Sequence, residues 1–318
     1  MRIALVILFT FVFYYFETKN KISLPGKIAV VPVMSQAKAY SFYDNSDKIK
    51  FELKLRDDKG VEYGQLHWVH NVDNFIGVES LKTKNLGTSR SNVVQFDLQG
   101  NILDRIYEST EGEFTGLTFL SQNDNRLLFV STIAPADPLE MLTVEESVII
   151  MDFNEKKIIR KITNVGRSNS LVMKESPWVC DENRFIYTIE GGGSIMVQGR
   201  GYLPKEEKIS GIYIYDLSTD QHQLLIPNGR LGVCSPVNQQ ISYAKGKSIW
   251  ILDLKDNTKR KIYNVGSNGR IRNIHWTPDG KNIYLAYSKV YPFKIFVPEV
   301  RIVDQLFPVG RLLDWAQV

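Results

Sequence analysis

The sequence predicts an all-β fold built from one four-strand unit repeated many times, and three observations carry that prediction. The first is the stretch 248–287, which reads as four short strands: SIWILDL, KRKIYNV, GRIRNIHW and NIYLAY. Each alternates or is rich in β-branched and aromatic residues. The gaps hold Asp256-Asn257, Gly266-Ser267-Asn268-Gly269 and Pro278-Asp279-Gly280. Pro presets φ, Gly permits positive φ, and Asp and Asn bond their own backbone, so these gaps are turns. The second observation is a recurring motif of apolar residues, an Asp and a polar turn, at Asp47, Asp97, Asp152, Asp216 and Asp253. The third is a large residue about seven positions before the next apolar run. Trp276 before Ile283, Trp68 before Phe75 and Cys234 before Ile241 match it; Leu120 before Leu127 fits loosely, and Cys180 stands one residue closer to Ile186.

The anchors recur every ~40–60 residues, and four-stranded units at that period stack as the blades of a β-propeller. No unit can bury its faces alone, so neighbours cover one another. The strands of a blade are named A to D from the centre outward. KIFVPEV is a sixth motif position that departs, with Pro298 and Glu299 in the turn. The ends complete the count. GRLLDWAQV reads as a strand A with Trp315 in the Trp276 place, and nothing follows it; KIAVVPVMS, AKAYSFYD and KIKFELKL read as strands B, C and D. The C-terminal strand is therefore expected to join the N-terminal blade and close a ring of six blades over residues 27–318. Closure removes an open sheet edge that would invite aggregation.

Residues 1–26 stand apart. Met1-Arg2 precedes an uncharged run from Ile3 to Phe16, then Glu17-Thr18-Lys19. Fourteen helical residues reach ~21 Å, short of the ~30 Å hydrocarbon core. The pattern fits an export signal or membrane anchor on residues 3–16 followed by a polar tether, although a small-residue cleavage site is missing. The expected location is periplasmic or extracellular. The chain has no Asn-X-Ser/Thr acceptor, which leans toward a bacterial envelope. Its 43% hydrophobic and 23% charged residues suit a sizeable core, and the net charge of +4 is too mild to imply nucleic acid.

WTPDGKNIYLAY, together with IYIYDLSTD and WILDLKD, resembles the repeats of the TolB-type six-bladed propellers, whose signature is Trp-Ser-Pro-Asp-Gly-Lys. The likeness spans roughly residues 60–318 and is close at 276–281. It implies the fold and an envelope binding role. The separate N-terminal domain of TolB has no counterpart, so TolB's partners are not implied.

Strand order fixes which loops share an end of the ring. D-to-A and B-to-C connections emerge on one end, A-to-B and C-to-D turns on the other. Three long B-to-C connections, 80–92, 133–147 and 190–210, come from consecutive blades 2, 3 and 4 and mark their end as the expected binding surface. Arg230, Arg272 and Arg311 each lie four residues before the large residue ending a strand A, in blades 5, 6 and 1, which become neighbours on closure. At ~10 Å and an effective dielectric between 20 and 80, each pair would repel by roughly 0.4–1.7 kcal/mol. That cost suggests partners, either Glu111 and Glu113 or a bound anion, since the planar guanidinium fork suits carboxylate or phosphate. Three separate inter-blade arginines remain the alternative.

Other candidates are weaker. Asp97, Asp152, Asp216 and Asp253 sit at turn starts and are expected to cap backbone amides. His67 and His275 occupy equivalent places in blades 2 and 6, with His70 near the first and His222 elsewhere; the blades are not adjacent and no third ligand is evident, so no metal site is expected. Cys180 and Cys234 read as equivalent positions in neighbouring blades, whose faces pack ~10 Å apart where bridged Cα atoms need about 4.4–6.8 Å, so two buried thiols are expected, with a bridge as the alternative. The Gly191-Gly192-Gly193-Ser194 run leads into strand residues, without a Lys-Ser/Thr or a second elbow glycine, and reads as a mobile loop. No cofactor is expected. The reading is a non-catalytic exported scaffold that binds an envelope protein or acidic peptide and touches membrane only through its N-terminal segment. A lactonase or polysaccharide lyase working at the funnel and a structural subunit of a membrane complex are the alternatives.

Overall fold

The structure is a computed structural model that describes residues 27–32, 39–43, 49–54, 61–69, 74–82, 89–97, 99–133, 145–167, 171–173, 177–190, 195–197, 201–203, 209–267, 269–277, 279–281, 283–290, 296–300 and 310–316. The described residues are all-β. In chain order, β1 (Lys27–Pro32), β2 (Ala39–Tyr43) and β3 (Ile49–Lys54) begin blade 1. Blade 2 is β4 (Val61–Val69), β5 (Asn74–Lys82), β6 (Ser89–Phe96) and β7 (Ile102–Tyr107). Blade 3 is β8 (Glu113–Leu120), β9 (Arg126–Ile133), β10 (Glu145–Asp152) and β11 (Lys157–Arg167). Blade 4 is β12 (Leu171–Val172), β13 (Arg184–Ile189), β16 (Gly211–Asp216) and β17 (Gln221–Pro227), with a hairpin of β14 (Ile195–Val197) and β15 (Gly201–Leu203) inserted. Blade 5 is β18 (Arg230–Cys234), β19 (Gln240–Lys245), β20 (Ser248–Asp253) and β21 (Lys259–Asn264). Blade 6 shows β22 (Gly269–Trp276), β23 (Ile283–Val290) and β24 (Phe296–Val300) among the described residues. The last strand is β25 (Gly310–Ala316).

That last strand returns to the first. β25 pairs antiparallel with β1, Trp315 opposite Ile28 and Arg311 opposite Val31, giving the sheet order β25-β1-β2-β3. The propeller is thus closed by its two ends. Neighbouring strands within every sheet are antiparallel, so loops alternate between the two ends of the ring as expected. Residues 1–26, His70 and the glycine run 191–193 lie outside the described residues.

The turns follow from their side chains. Asp97 Oδ1 accepts from the amides of Gln99 and Asn101, Asp152 Oδ1 from Asn154 and Glu155, and Asp253 Oδ1 from Lys255. Asp216 accepts from the Ser218 hydroxyl and the Ser218 and Thr219 amides, which hold its carboxyl below the usual range. Four residues after three of these aspartates the backbone turns left-handed, at Lys156, Asp220 and Asn257.

Between blades lie apolar cores. Val69, Ile76 and Val93 of blade 2 meet Leu127, Phe129 and Ile149 of blade 3. Phe119, Val130 and Ile150 meet Trp178, Phe185 and Tyr187 of blade 4. Ile186 and Ile212 meet Cys234 and Ile241 of blade 5, and Val233 and Ile251 meet Ile274 and Trp276 of blade 6. The middle strands bury both faces, which is why they read as near-continuous apolar runs.

Polar bonds stitch the innermost strands together. Trp178 Nε1 donates to the Phe119 carbonyl, Cys234 Sγ to the Pro177 carbonyl, and Trp276 Nε1 to the Val233 carbonyl. Each acceptor stands one residue before the equivalent position in the preceding blade. This corrects the expected frame of blade 4. Trp178, bridged to Phe185, takes the place that Cys180 was expected to hold. The left-handed residue four beyond agrees: Glu182 follows Trp178 as Gly280 follows Trp276 and Asp124 follows Leu120. Cys180 lies two residues into the turn, so Cys180 and Cys234 are not equivalent, and no disulfide joins them. Burial raises both thiol pKa values, most strongly at Cys234.

Candidate functional site

The candidate site is the long-loop end of the channel, and the innermost strands set its geometry. β25 lies beside β4, β4 beside β8, and β18 beside β22. Each of these strands carries a one-residue bulge shortly before its last large residue. The extra residue falls between Gly64 and His67 in β4, Gly116 and Phe119 in β8, Arg230 and Val233 in β18, Ile271 and Asn273 in β22, and Leu312 and Asp314 in β25. A bulge bends its strand and re-aims side chains, and bulges cluster at rims and functional sites.

The ladder then gives each predicted arginine an address. Arg230 pairs with Ala244 and Arg311 with Val31, each three residues beyond the partner of the terminal Cys234 or Trp315. They share one level of the ring. Arg272 does not stand on that level as a paired residue: it is itself the bulge residue of β22, and it is exposed, whereas Arg230 is half-buried. Sequence counting placed all three together because a bulge leaves spacing from the terminal residue unchanged.

The corrected frame exposes a pattern that counting from Cys180 concealed. Four residues before the terminal large residue stand Gly64, Gly116, Lys174, Arg230, Arg272 and Arg311 in blades 2, 3, 4, 5, 6 and 1. Lys174 lies outside the described residues. Gly64 pairs with Val78 and Gly116 with Val130, the same ladder level as Arg230 and Arg311.

Beside this level, the top of the blade 2–blade 3 interface is a layer of buried polar groups. Glu113, 4% exposed, opens β8. Its carboxylate accepts from Tyr107 Oη at 2.7 Å, from the Thr110 amide and hydroxyl at 3.1 Å each, and from the Ser131 hydroxyl. Burial alone would raise its pKa, but these donors outweigh it and the net shift is downward. The same arrangement pushes the Tyr107 phenol up, through burial first, the hydrogen bond to Glu113 second and the Glu113 charge third. Glu113 was expected as a partner for the arginines; it is committed instead to this inter-blade network, while Glu111 is exposed. Glu79, 3% exposed, accepts from Asn92 at 3.0 Å and from Arg105 at 3.3 Å, and Asn92 in turn accepts from the Ser109 amide.

Of the long connections, 190–210 contains the β14–β15 hairpin rather than loop alone. The ladder of β5 and β6 runs out to Lys82 opposite Ser89, and residues 83–88 and 134–144 lie outside the described residues. The described histidines are dispersed. His67 packs its ring 5.6 Å from that of Phe119, His275 is buried, and His222 Nδ1 bonds Tyr187 Oη at 2.7 Å. Among the described residues no group of His, Cys, Asp or Glu could hold a metal ion.

No family model matches the sequence, and no curated protein does. The likeness is one of shape.

It is similar to TolB. The crystal structure of TolB from Acinetobacter baumannii matches 93% of this chain and 68% of its own, at 16% identity and a TM-score of 0.55. A puromycin-hydrolyzing peptidase of Mycobacterium tuberculosis matches at 12% identity and 0.49, over 87% of this chain and 47% of that one. Oligogalacturonate lyase of Vibrio parahaemolyticus matches at 10% and 0.42, over 85% and 92%. At these identities the match with TolB shows the propeller fold alone, and the two lower scores support no further argument.

Proposed function

We propose that the protein is an exported, non-catalytic β-propeller that binds another envelope protein, or an acidic peptide of one, at the long-loop end of its channel. Residues 1–26 serve as signal or anchor plus tether in this reading. The observation that carries it is the shared level of Arg230 and Arg311 on inner strands, with Arg272 at the bulge between them in ring order. These cations stand at the end of the ring where the connections 80–92, 133–147 and 190–210 emerge. Glu113 is occupied by its own blade interface, and the proposed complement to the arginines is a carboxylate of the partner. Arginine is suited to it, because its planar donors meet a carboxylate in pairs.

The test is capture of partners from membrane extracts by the full chain, comparing the natural protein with Arg230→Gln, Arg272→Gln and Arg311→Gln combined. One dominant envelope protein should be retained by the natural chain, lost as salt rises, and retained at least tenfold less by the triple variant. Equal retention by both would sink the reading.

A further inference from the structure

We infer that the channel mouth is two-sided: cations on blades 5, 6 and 1 take the carboxylates of an acidic ligand, and the body of that ligand lies against Gly64 and Gly116 on blades 2 and 3. The inference deepens the proposed binding role and rests on it. It starts from the one ladder level at which Gly64, Gly116, Arg230 and Arg311 all stand, each followed by a one-residue bulge. A glycine inside a strand marks either a bulge or a place where something approaches the backbone closely. The bulge does not explain these two. Arginine occupies the same position before the same kind of bulge in β18 and β25, so the backbone there accepts a full side chain. Gly116 lies in strand β8 and is half-exposed, and it is not among the residues with a left-handed φ. What remains is the missing side chain itself.

The two kinds of residue are segregated around the ring. β4 and β8, which carry the glycines, are adjacent; β18 and β22, which carry Arg230 and Arg272, are adjacent; and β25 with Arg311 borders β4. A symmetric cationic ring would attract any anion to the centre. Basic residues hold this sequence position on four blades, Lys174, Arg230, Arg272 and Arg311, and glycine on the two adjacent others, an asymmetry that would hold a ligand off-centre with its charged edge toward the basic blades and its backbone toward the glycines. An extended peptide with acidic residues on one edge has that shape. A small inorganic anion needs the arginines and makes no use of the glycines.

The experiment uses fluorescein-labelled hexaglutamate as probe, read by anisotropy on the full chain at low and at physiological salt, with inorganic phosphate as competitor. The variants are Gly116→Val, Gly64→Ala and the combined Arg230→Gln/Arg311→Gln, each checked for an unchanged circular dichroism spectrum and melting temperature. Gly64→Ala keeps the test decisive should the valine disturb β8. The expected result is at least tenfold weaker binding for Gly116→Val and a clear loss for Gly64→Ala, with the salt dependence of the natural protein retained. The arginine variant should lose both affinity and salt dependence. Unchanged affinity in both glycine variants, alongside loss in the arginine variant, overturns the two-sided mouth and leaves the binding role standing. Phosphate competing as well as free hexaglutamate overturns it in the same way. Failure of the natural protein to bind hexaglutamate overturns both.

Discussion

At the scale of single residues, Glu113 shows how a buried charge is kept. Its carboxylate is removed from water and given four donors from Tyr107, Thr110 and Ser131, three of them on the segment 107–110 that precedes it. A buried polar group left without partners costs more than a satisfied one gains, so such a network tolerates little change. Gln in its place keeps one acceptor but sets an amide donor against hydroxyls, and Glu113→Gln should lose about 1–3 kcal/mol of stability at neutral pH. The pH dependence has a definite sign. The pKa of Glu113 is lower in the folded protein than in the unfolded chain, so its contribution is fully present above the unfolded value and is lost as pH falls through the folded one. Urea midpoints should therefore show a gap between natural protein and variant that is wide at pH 7 and narrows below about pH 4, the ordinary glutamate range. A gap that stays constant or widens on acidification would contradict the assignment.

At the scale of the elements, the stitching of inner strands ties each blade to the one before it. Trp276 fills the blade 5–blade 6 core with its ring and satisfies the Val233 carbonyl with its Nε1. Trp276→Phe keeps most of the apolar contact and removes one of two donors to that carbonyl, the other being the Ser242 hydroxyl at 3.3 Å. The loss should be about 0.5–1.5 kcal/mol, visible as a lower urea midpoint with an unchanged slope. Trp178→Phe should behave alike through the Phe119 carbonyl. An effect at Trp276 but none at Trp178 would undo the corrected frame of blade 4. The reason that frame was missed in the sequence is physical. Pro177 lacks an amide donor, and Trp178 meets β13 through an isolated bridge to Phe185 rather than within the Leu171–Val172 ladder. Trp178 then stands outside any apolar run, and Cys180 offered the nearer match. Bulges were invisible for a similar reason, since one inserted residue barely disturbs an alternating pattern, and so the displacement of Arg272 from Arg230 and Arg311 could not be read. The Asp turns were legible because an Asx cap acts within three or four residues. The hairpin in 190–210 was not, because its strands are three residues each, below the length at which alternation carries a signal.

At the scale of the whole molecule, closure by β25 decides whether the four-stranded sheets act as one structure. The β25–β1 ladder was the longest-range feature read from the sequence, joining residues 27–32 to 310–316, and it was legible because GRLLDWA repeats the apolar pattern and terminal Trp of GRIRNIHW. Without it, β1 becomes an open edge and β4 loses the inner strand beside it. An exposed edge of this kind pairs with whatever strand is offered. A chain ending at residue 309 should therefore unfold at lower temperature and self-associate, as read by light scattering. The same edge should also accept its missing strand from solution. A synthetic peptide of residues 310–318 should bind the shortened chain, restore its melting temperature in a concentration-dependent way and suppress association, because ligand binding stabilises in proportion to the logarithm of free peptide. A peptide with Leu312 and Trp315 replaced by Asp should do neither. Rescue by both peptides would point to nonspecific edge pairing, and rescue by neither would mean that the ring does not depend on the strand that closes it.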